Sequence, residues 1–354
     1  MLCLDEENSN SSLCSQKYVL CLDVVQIICD YCDLKTQINL ISSCKEYEEH
    51  LKIKKLNCTL DISLDISLNN ITQEVIRQKK FDKLQTLYAY NNKKITDVNH
   101  LRNTLIKLVC CENCGIDQKG ISELTKLQKL DASNNDKITD VNHLRNTLTE
   151  LYCNSYCGID QKGISNLKVL QKLDANDNSE ITDVNHLRNT LIELYCNGYC
   201  RIDQKGISNL KVLQKLDAND NSEITDVNHL QNTLTELHCR NYCGIDQKGI
   251  SNLKVLQKLA AYGNSKITDV NHLQNVLTEL DCCQNCGIDQ KGISDLKVLQ
   301  ILYTNKNKKI TDINHLQNTL IKCDSWSRGS FLIKFKNVLQ RLYTDGNNKN
   351  NLIK

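Results

Sequence analysis

The sequence is unusual first for what it lacks. Proline is absent from all 354 residues, and tryptophan and methionine occur once each. The formal net charge is only +2 and no basic tract occurs, so the chain has no electrostatic footprint for nucleic acid. The longest apolar run, from Tyr18 to Cys29, is short and interrupted by Asp23, which argues against a transmembrane helix. We therefore expect neither nucleic acid nor membrane among the partners.

The pattern of a secretory leader is missing as well. The N-terminal residues MLCLDEE are acidic where a signal peptide would be basic, so we expect a cytoplasmic protein. Twenty cysteines without a secretory signal indicate reduced thiols that pack in a core, rather than disulfides. A hydrophobic fraction of 40% and a charged fraction of 24% suit a folded protein with an ample core.

What the sequence has in abundance is an internal repeat of 43 residues. Residues 170–212 and 213–255 are identical at 37 of 43 positions. The tripeptide Val-Asn-His, once Ile-Asn-His, recurs at the same interval and marks each unit. Its histidines are His100, His143, His186, His229, His272 and His315. A fixed period in this range is typical of stacked supersecondary repeats.

Each unit divides into a first half of 21 residues and a second half of 22, both beginning with leucine. We number each half from that leucine as position 1. In the first half that begins at Leu170, position 4 is Leu173 and position 9 is Asn178; in the second, which begins at Leu191, position 6 is Cys196. These spacings resemble the leucine-rich repeat, and the run Ile-Asp-Gln-Lys-Gly-Ile-Ser resembles its cysteine-containing subclass.

The resemblance implies an α/β solenoid with a parallel β-sheet on the concave face and short helices on the convex face. We expect a strand at positions 3 to 8, small residues (Ala or Cys) facing inward at position 6, and asparagine amides that bind backbone groups at position 9. The predicted boundaries are a disordered tail (1–17), a helical domain (18–53), an N-terminal capping segment (54–83), the repeats (84–322), and a C-terminal cap and tail (323–354) sealed by Trp326, Phe331 and Phe335.

The helical domain resembles an F-box. Residues 20–51 read LCLDVVQIICDYCDLKTQINLISSCKEYEEHL. Apolar residues at helical spacing predict a first helix, Asp33 can cap a second, and Ser43 with Glu46 predicts a capping box for a third. Cys21 stands where that family usually has proline. The resemblance implies docking to the adaptor of a cullin-type ubiquitin ligase through Leu20, Val24, Val25, Ile28 and Tyr31. The alternative is a plain helical cap on the solenoid.

Three arrangements of chemically active residues have plainer interpretations. Cys-x-x-x-Cys pairs such as Cys153 and Cys157 lie two turns from the next pair, about 10 Å away, whereas zinc needs four convergent ligands. His143 and Asp140 belong to the convex return segment and Cys153 to the strand, out of the reach that catalysis needs. The EF-hand-like run at 174–178 lacks the required glycine and glutamate. We expect no enzymatic activity, metal or cofactor.

The copies differ most at concave positions. Three of the six differences between the closest copies fall at positions 5, 7 and 8 of one strand, whose side chains we expect on the concave face. The predicted partner-binding residues are Asp131, Tyr152, Asp174, Asp177, Tyr195, Asp217, Asp220 and Arg240. An acidic groove with tyrosines favours a basic protein target.

Taken with the F-box resemblance, this surface suggests the substrate-recognition subunit of a ubiquitin ligase, monomeric outside its complex. The alternative is a leucine-rich repeat interaction scaffold with no ligase role. The abundance of Asn, Lys and Ile also resembles proteins of large amoeba-infecting DNA viruses, which would place the protein in the host cytoplasm.

Overall fold

The computed structural model describes residues 21–57 and 71–324. Three helices come first: α1 (Leu22–Tyr31), α2 (Leu34–Ile41) and α3 (Lys45–His50). Short strands follow at regular intervals: β1 (Lys55–Asn57), β2 (Thr86–Tyr88), β3 (Lys107–Val109), β4 (Lys129–Asp131), β5 (Glu150–Tyr152), β6 (Lys172–Asp174), β7 (Glu193–Tyr195), β8 (Lys215–Asp217), β9 (Glu236–His238), β10 (Lys258–Ala260), β11 (Glu279–Asp281), β12 (Ile301–Tyr303) and β13 (Lys322–Asp324).

Each strand from β1 to β12 is followed by a short helical return segment. One-turn α-helices occur at α4 (Gln73–Ile76), α5 (Gln118–Ile121), α6 (Gln161–Ile164), α7 (Gln204–Ile207) and α8 (Gln247–Ile250). Turns of 3₁₀-helix occur at Lys79–Phe81, Asn99–Leu101, Asn142–Leu144, Asn185–Leu187, Asn228–Leu230, Asn271–Leu273, Lys291–Ile293 and Asn314–Leu316. In the part of the chain that the structure describes, no helix is long and apolar enough to span a membrane.

The strands form one parallel sheet in sequential order, β1 to β13. Leucine at position 4 pairs with leucine at position 4 of the next strand, as Leu173 does with Leu194 and Leu194 with Leu216. This is the architecture of a leucine-rich repeat solenoid, as the sequence predicts. The predicted N-terminal capping segment (54–83) contributes β1 to the sheet, because β1 pairs with β2.

The regular strands are shorter than predicted. They end at position 5 rather than at position 8. Backbone hydrogen bonds between neighbouring turns do continue, for example from Cys196 N to Asp217 O (2.8 Å) and from Asp177 N to Asn197 O (3.1 Å). Position 8, however, has a positive φ in turn after turn, as at Asp177 (φ 55°) and Gly198 (φ 61°). That left-handed conformation turns the chain out of the extended path.

One continuous hydrophobic core runs from the N-terminal helices through the repeats. The predicted small residues at position 6 are fully buried, Ala175 and Cys196 among them. Val25, Cys29 and Ile41 of the helices belong to the same core as Leu56 of β1. The helices are therefore packed onto the end of the solenoid, which shields the apolar side of the first turn from water.

The asparagines at position 9 satisfy backbone groups, as predicted. Asn178 is 1% exposed, and its Nδ2 donates to Cys153 O (2.8 Å) and Ile159 O (3.2 Å), while its Oδ1 accepts from Glu180 N (2.9 Å). The same three bonds recur at Asn135, Asn221, Asn264 and Asn307. Each side chain thereby fastens one turn to the turn before it.

A second set of side-chain bonds joins the convex side. The amide of Gln204 accepts from Thr225 N (2.9 Å) and Asp226 N (2.8 Å) and donates to Asp226 O (2.9 Å). Gly206, in the same helix, lies so close to the preceding turn that a Cβ atom there would overlap the carbonyl oxygen of Thr182. Glycine is needed here for close packing between turns.

Three N-terminal helices are present, as predicted, but the cap predicted for the third is absent. Asp33 caps α2 as predicted, because its Oδ1 accepts from Thr36 N at 2.9 Å. The capping box predicted for α3 is wrong: α3 follows Cys44 without a side-chain cap, and Ser43 Oγ donates instead to Leu40 O at 2.7 Å. The predicted tail (1–17) and the sealing residues Trp326, Phe331 and Phe335 lie outside the described residues.

Candidate protein-binding surfaces

Position 5 of successive strands forms one row across the concave face. Tyr152 lies between Asp131 and Asp174, and Tyr195 lies between Asp174 and Asp217. The structure thus brings together five of the eight residues predicted to bind a partner. Each tyrosine has a carboxylate on either side of it at the spacing of adjacent strands, about 4.8 Å.

Position 3 forms a parallel row of alternating lysine and glutamate, which the sequence analysis missed. Lys172 Nζ lies 2.9 Å from Glu193 Oε2, and Lys215 Nζ lies 2.6 Å from Glu236 Oε1. Burial works against the charged form of Lys172, yet the hydrogen bond to Glu193 and the adjacent tyrosines raise its pKa above the ordinary value. The signal was available in the sequence, because first halves read Lys-Leu-Asp where second halves read Glu-Leu-Tyr.

The two rows meet at Tyr195. Its ring centroid lies 5.0 Å from Lys172 Nζ and 5.4 Å from Lys215 Nζ, and its hydroxyl donates to Glu193 Oε2 at 3.1 Å. Cations at these distances are attracted to the face of the ring. The ring is therefore held in one orientation before any partner arrives.

The carboxylates of position 5 are less exposed than predicted. Burial raises the pKa of Asp174, although the backbone N–H of Asn176 partly opposes this. Asp217 is 8% exposed, and its Oδ2 lies 3.4 Å from Nδ1 of His238. The aspartates predicted to line the concave face are therefore flanked by paired opposite charges at position 3, and Asp217 is largely withdrawn from solvent.

Arg240 is already engaged within the sheet face. Its guanidinium lies 3.3 Å from Asp281 Oδ2, two strands away. The intervening strand carries Ala260 at position 5, and this small side chain leaves room for the long one to cross. Arg240, which was predicted to bind a partner, thus forms an ion pair with an aspartate of its own chain.

The structure moves Asp177 and Asp220 away from the other predicted residues. Both occupy position 8, with φ of 55° and 57°, beyond the regular strand. Both are exposed at the rim of the sheet, where Asp177 Oδ1 accepts from Tyr199 N at 3.0 Å. They face the loops that follow the strands rather than the concave centre.

The predicted adaptor-binding residues divide by exposure. Val24, Ile28 and Tyr31 are 38%, 45% and 90% exposed, as a contact surface requires. Val25 is 4% exposed and packs in the core, so its assignment to adaptor binding is wrong, because it faces the array. Leu20 lies outside the described residues, and the sequence analysis missed Ile27, which is 57% exposed.

Cys153, Cys157 and His143 do not form the reactive site that their residue types could suggest. Burial raises the pKa of Cys153 well above its ordinary value and that of Cys157 to about 11, so both thiols stay protonated and unreactive. His143 Nε2 donates to Ile121 O at 3.0 Å rather than to a thiol, and burial lowers the pKa of His143. No cluster of three potential metal ligands occurs among residues 21–57 and 71–324.

The fold is that of a leucine-rich repeat solenoid. No protein-family model and no curated protein matches the chain. Among solved structures it is similar to an internalin (inlF) from Listeria monocytogenes, with 21% identity, a TM-score of 0.48, and coverage of 69% of this chain and 81% of that one.

It is also similar to a chain of the Rad7 and Elc1 complex from yeast, with 16% identity, a TM-score of 0.47, and coverage of 77% and 74%. An internalin C2 (inlC2) from Listeria monocytogenes gives 23% identity, a TM-score of 0.28, and coverage of 58% and 74%. With every TM-score below 0.5, these similarities carry no conclusion about partners.

Proposed function

We propose that the protein is a receptor that joins two other proteins. In this proposal α1 binds the adaptor of a cullin-type ubiquitin ligase, and the concave face of the repeats binds the target protein. The chain itself then needs no catalytic residue, because ubiquitin transfer belongs to other subunits. A ligase of this kind acts in the cytoplasm, where we expect the protein to be found.

The observation that carries the proposal is an exposed apolar stripe on α1. Ile28 is four residues after Val24, and Tyr31 is four residues after Ile27, so these four exposed residues lie on one face of the helix. On another face Val25 and Cys29 pack into the core and hold the helix on the array. A stripe of large apolar residues left in water is typical of a protein contact.

The occupant of this stripe is inferred from the resemblance of residues 20–51 to an F-box, whose first helix supplies adaptor contacts. The concave face suits a target that presents lysine or arginine. Tyr152 and Tyr195 are half-buried, ordered rings that can anchor such a side chain at a small cost in rotamer entropy. Asp131 and Asp174, on either side of Tyr152, can accept its hydrogen bonds.

The test is retention of the purified ligase adaptor by the full chain carrying Val24→Asp and Ile28→Asp. Both side chains are substantially exposed, so the variant should keep its fold, while two charges in the contact lower adaptor binding by about tenfold or more. Asn39→Asp is the matched control, because it adds a charge at an exposed position of α2 and should bind normally. Undiminished binding by the double variant, or none by the wild type, refutes the ligase role.

A second candidate is an interaction scaffold without a ligase role. It is favoured by the continuity of the core, in which Val25, Cys29 and Ile41 cover the first turn of the solenoid. If the helices serve only as a cap, they pack on the first turn in the same way but do not bind the adaptor. The same experiment therefore separates the two functions.

A further inference from the structure

The rim of the sheet carries a row of exposed tyrosines that the proposed function does not use. Tyr156, Tyr199 and Tyr242 occupy position 9 of three consecutive second halves and are 88%, 86% and 84% exposed. Each follows a left-handed residue at position 8, which turns the chain out of the sheet. Single exposed aromatic residues are ordinary on protein surfaces, but three at one register form a regular row that calls for an explanation.

An acidic groove separates the first two rings, and the repeat places equivalent residues between the second and third. The groove between Tyr156 and Tyr199 has a volume of about 740 Å³ and is lined also by Asp177, Ser179 and Glu180. The corresponding residues of the next unit, between Tyr199 and Tyr242, are Asp220, Ser222 and Glu223. We call these two spaces and their three tyrosines the rim groove.

The glutamates of the rim groove stand where other units have a lysine that hydrogen-bonds the backbone of the preceding turn. Lys137 donates to Cys114 O at 3.0 Å, and Lys266 donates to Cys243 O at 3.3 Å. Glu180 and Glu223 stand at the same position of the two units between them.

The replacement removes a hydrogen bond from each of those units. In the described part of the chain, no side chain donates to the carbonyl of Cys157 or Cys200, the counterparts of Cys114 and Cys243 in the units with glutamate. Each glutamate meets only the hydroxyl of the serine before it, at 2.9 Å. Lysine is thus lost only in the units that lie between the exposed tyrosines, which points to a role in binding rather than in folding.

The spacing of the rings specifies the shape of an occupant. Successive tyrosines are two strands apart, which is roughly 9.6 Å at about 4.8 Å per strand. An extended chain in the polyproline II conformation advances about 3.1 Å per residue with three residues per turn, so its every third side chain lies on one face at about 9.3 Å. The two periods agree closely enough for one such segment to meet all three rings.

We propose that the rim groove binds an extended basic segment that carries arginine or lysine at every third residue. Each cationic side chain lies against a tyrosine ring and reaches the neighbouring Asp or Glu. The carboxylates exclude nucleic acid, which has the same sign of charge. This site is separate from α1 and from the concave centre, and the proposal does not depend on adaptor binding.

The direct test is fluorescence anisotropy of a labelled peptide of Arg-Pro-Pro repeats titrated with the full chain. We expect saturable binding that weakens as salt rises. A peptide of the same composition with contiguous arginines should bind about tenfold more weakly, because its charges no longer match the spacing of the rings. Equal binding of the two peptides means that only bulk charge is recognised and overturns the proposal.

The matched variant carries Glu180→Lys and Glu223→Lys. It places lysine at the position that Lys137 and Lys266 occupy in the neighbouring units. The fold should persist with an unchanged or higher thermal midpoint, because two capping bonds can form. Peptide binding should weaken about tenfold or more, since two attractive charges become repulsive. Unchanged binding in this folded variant refutes the proposal.

A pair of tyrosine variants completes the experiment. Tyr199→Ala removes the ring shared by both grooves and should weaken peptide binding several-fold, by about the contribution of an exposed cation–ring contact. Tyr90→Ala removes a ring that is 39% exposed elsewhere on the array and should leave binding unchanged. Equal effects of the two substitutions would mean that the peptide binds without regard to the rim groove, which contradicts the proposal.

Discussion

The asparagine row offers the sharpest test of how this solenoid is held together. Asn178→Ala deletes three hydrogen bonds at a side chain that is 1% exposed: two donated to Cys153 O and Ile159 O, and one accepted from Glu180 N. A buried polar group left without a partner costs about 1 kcal/mol or more. We therefore expect the free energy of unfolding to fall by about 3 kcal/mol.

Two measurements distinguish this account from a general loss of packing. Guanidinium unfolding followed by circular dichroism gives the total loss, and hydrogen exchange of the Glu180 amide reports the one backbone donor that Asn178 accepts. Asn178→Asp keeps that acceptor and replaces the donor to the two carbonyls by a carboxylate. It should therefore preserve the local protection of Glu180 better than alanine does, while destabilising the chain at least as much.

The control is Ser179→Ala, because Ser179 is exposed and its hydroxyl donates only to the neighbouring Glu180 carboxylate. It should change stability by less than about 0.5 kcal/mol. A loss below about 1 kcal/mol in Asn178→Ala, or unchanged exchange at Glu180, would refute the reasoning, because the asparagine would then be replaceable by water.

Two further predictions concern the convex side. Gly206→Ala should destabilise the array by about 2 kcal/mol or more in a denaturant titration, because the added Cβ overlaps Thr182 O; an unchanged midpoint would mean that the turns can separate at no cost. Burial lowers the pKa of His143 and His186, and of their equivalents in other units, in the folded protein. In the unfolded chain a histidine has its ordinary pKa of about 6.5, so near pH 6 the unfolded chain binds more protons than the folded protein does. The unfolding midpoint should therefore fall as pH drops from about 7 to about 6, and His186→Gln should flatten that slope; a midpoint that rises on acidification would contradict this sign.

Much of the solenoid could be predicted because every turn must bury the same apolar positions and satisfy the same backbone groups. Leu194 and Cys196 recur at one spacing, and only an inward position in a parallel stack explains a leucine and a small apolar residue kept so uniformly. The position of Asn178 likewise follows from the need of buried backbone groups for partners. These features depend on local geometry, and local geometry is what a repeat encodes.

The binding surfaces were harder to predict because they depend on where the chain leaves the strand. The sequence analysis grouped Asp177 with Asp174 on the concave face, although positions 5 and 8 do not share a face of a regular strand. The left-handed backbone at position 8 instead sends Asp177 to the rim. The same turn exposes Tyr199, which strand alternation could not assign to a face. Val25 and Val24 are adjacent on one helix, and only the docking of that helix on the array decides which one is buried.

The alternation of the position-3 charges limits how the solenoid can change in length. Lys172, Glu193, Lys215 and Glu236 alternate along the stack, and each lysine contacts the glutamate of the next turn. Removal of a single turn would bring two like charges together, and asparagine-bearing and cysteine-bearing turns would no longer alternate. Removal or duplication of a whole 43-residue unit leaves every neighbour as it was. A gene for this chain can therefore gain or lose recognition surface in steps of two turns without disturbing the joints between them.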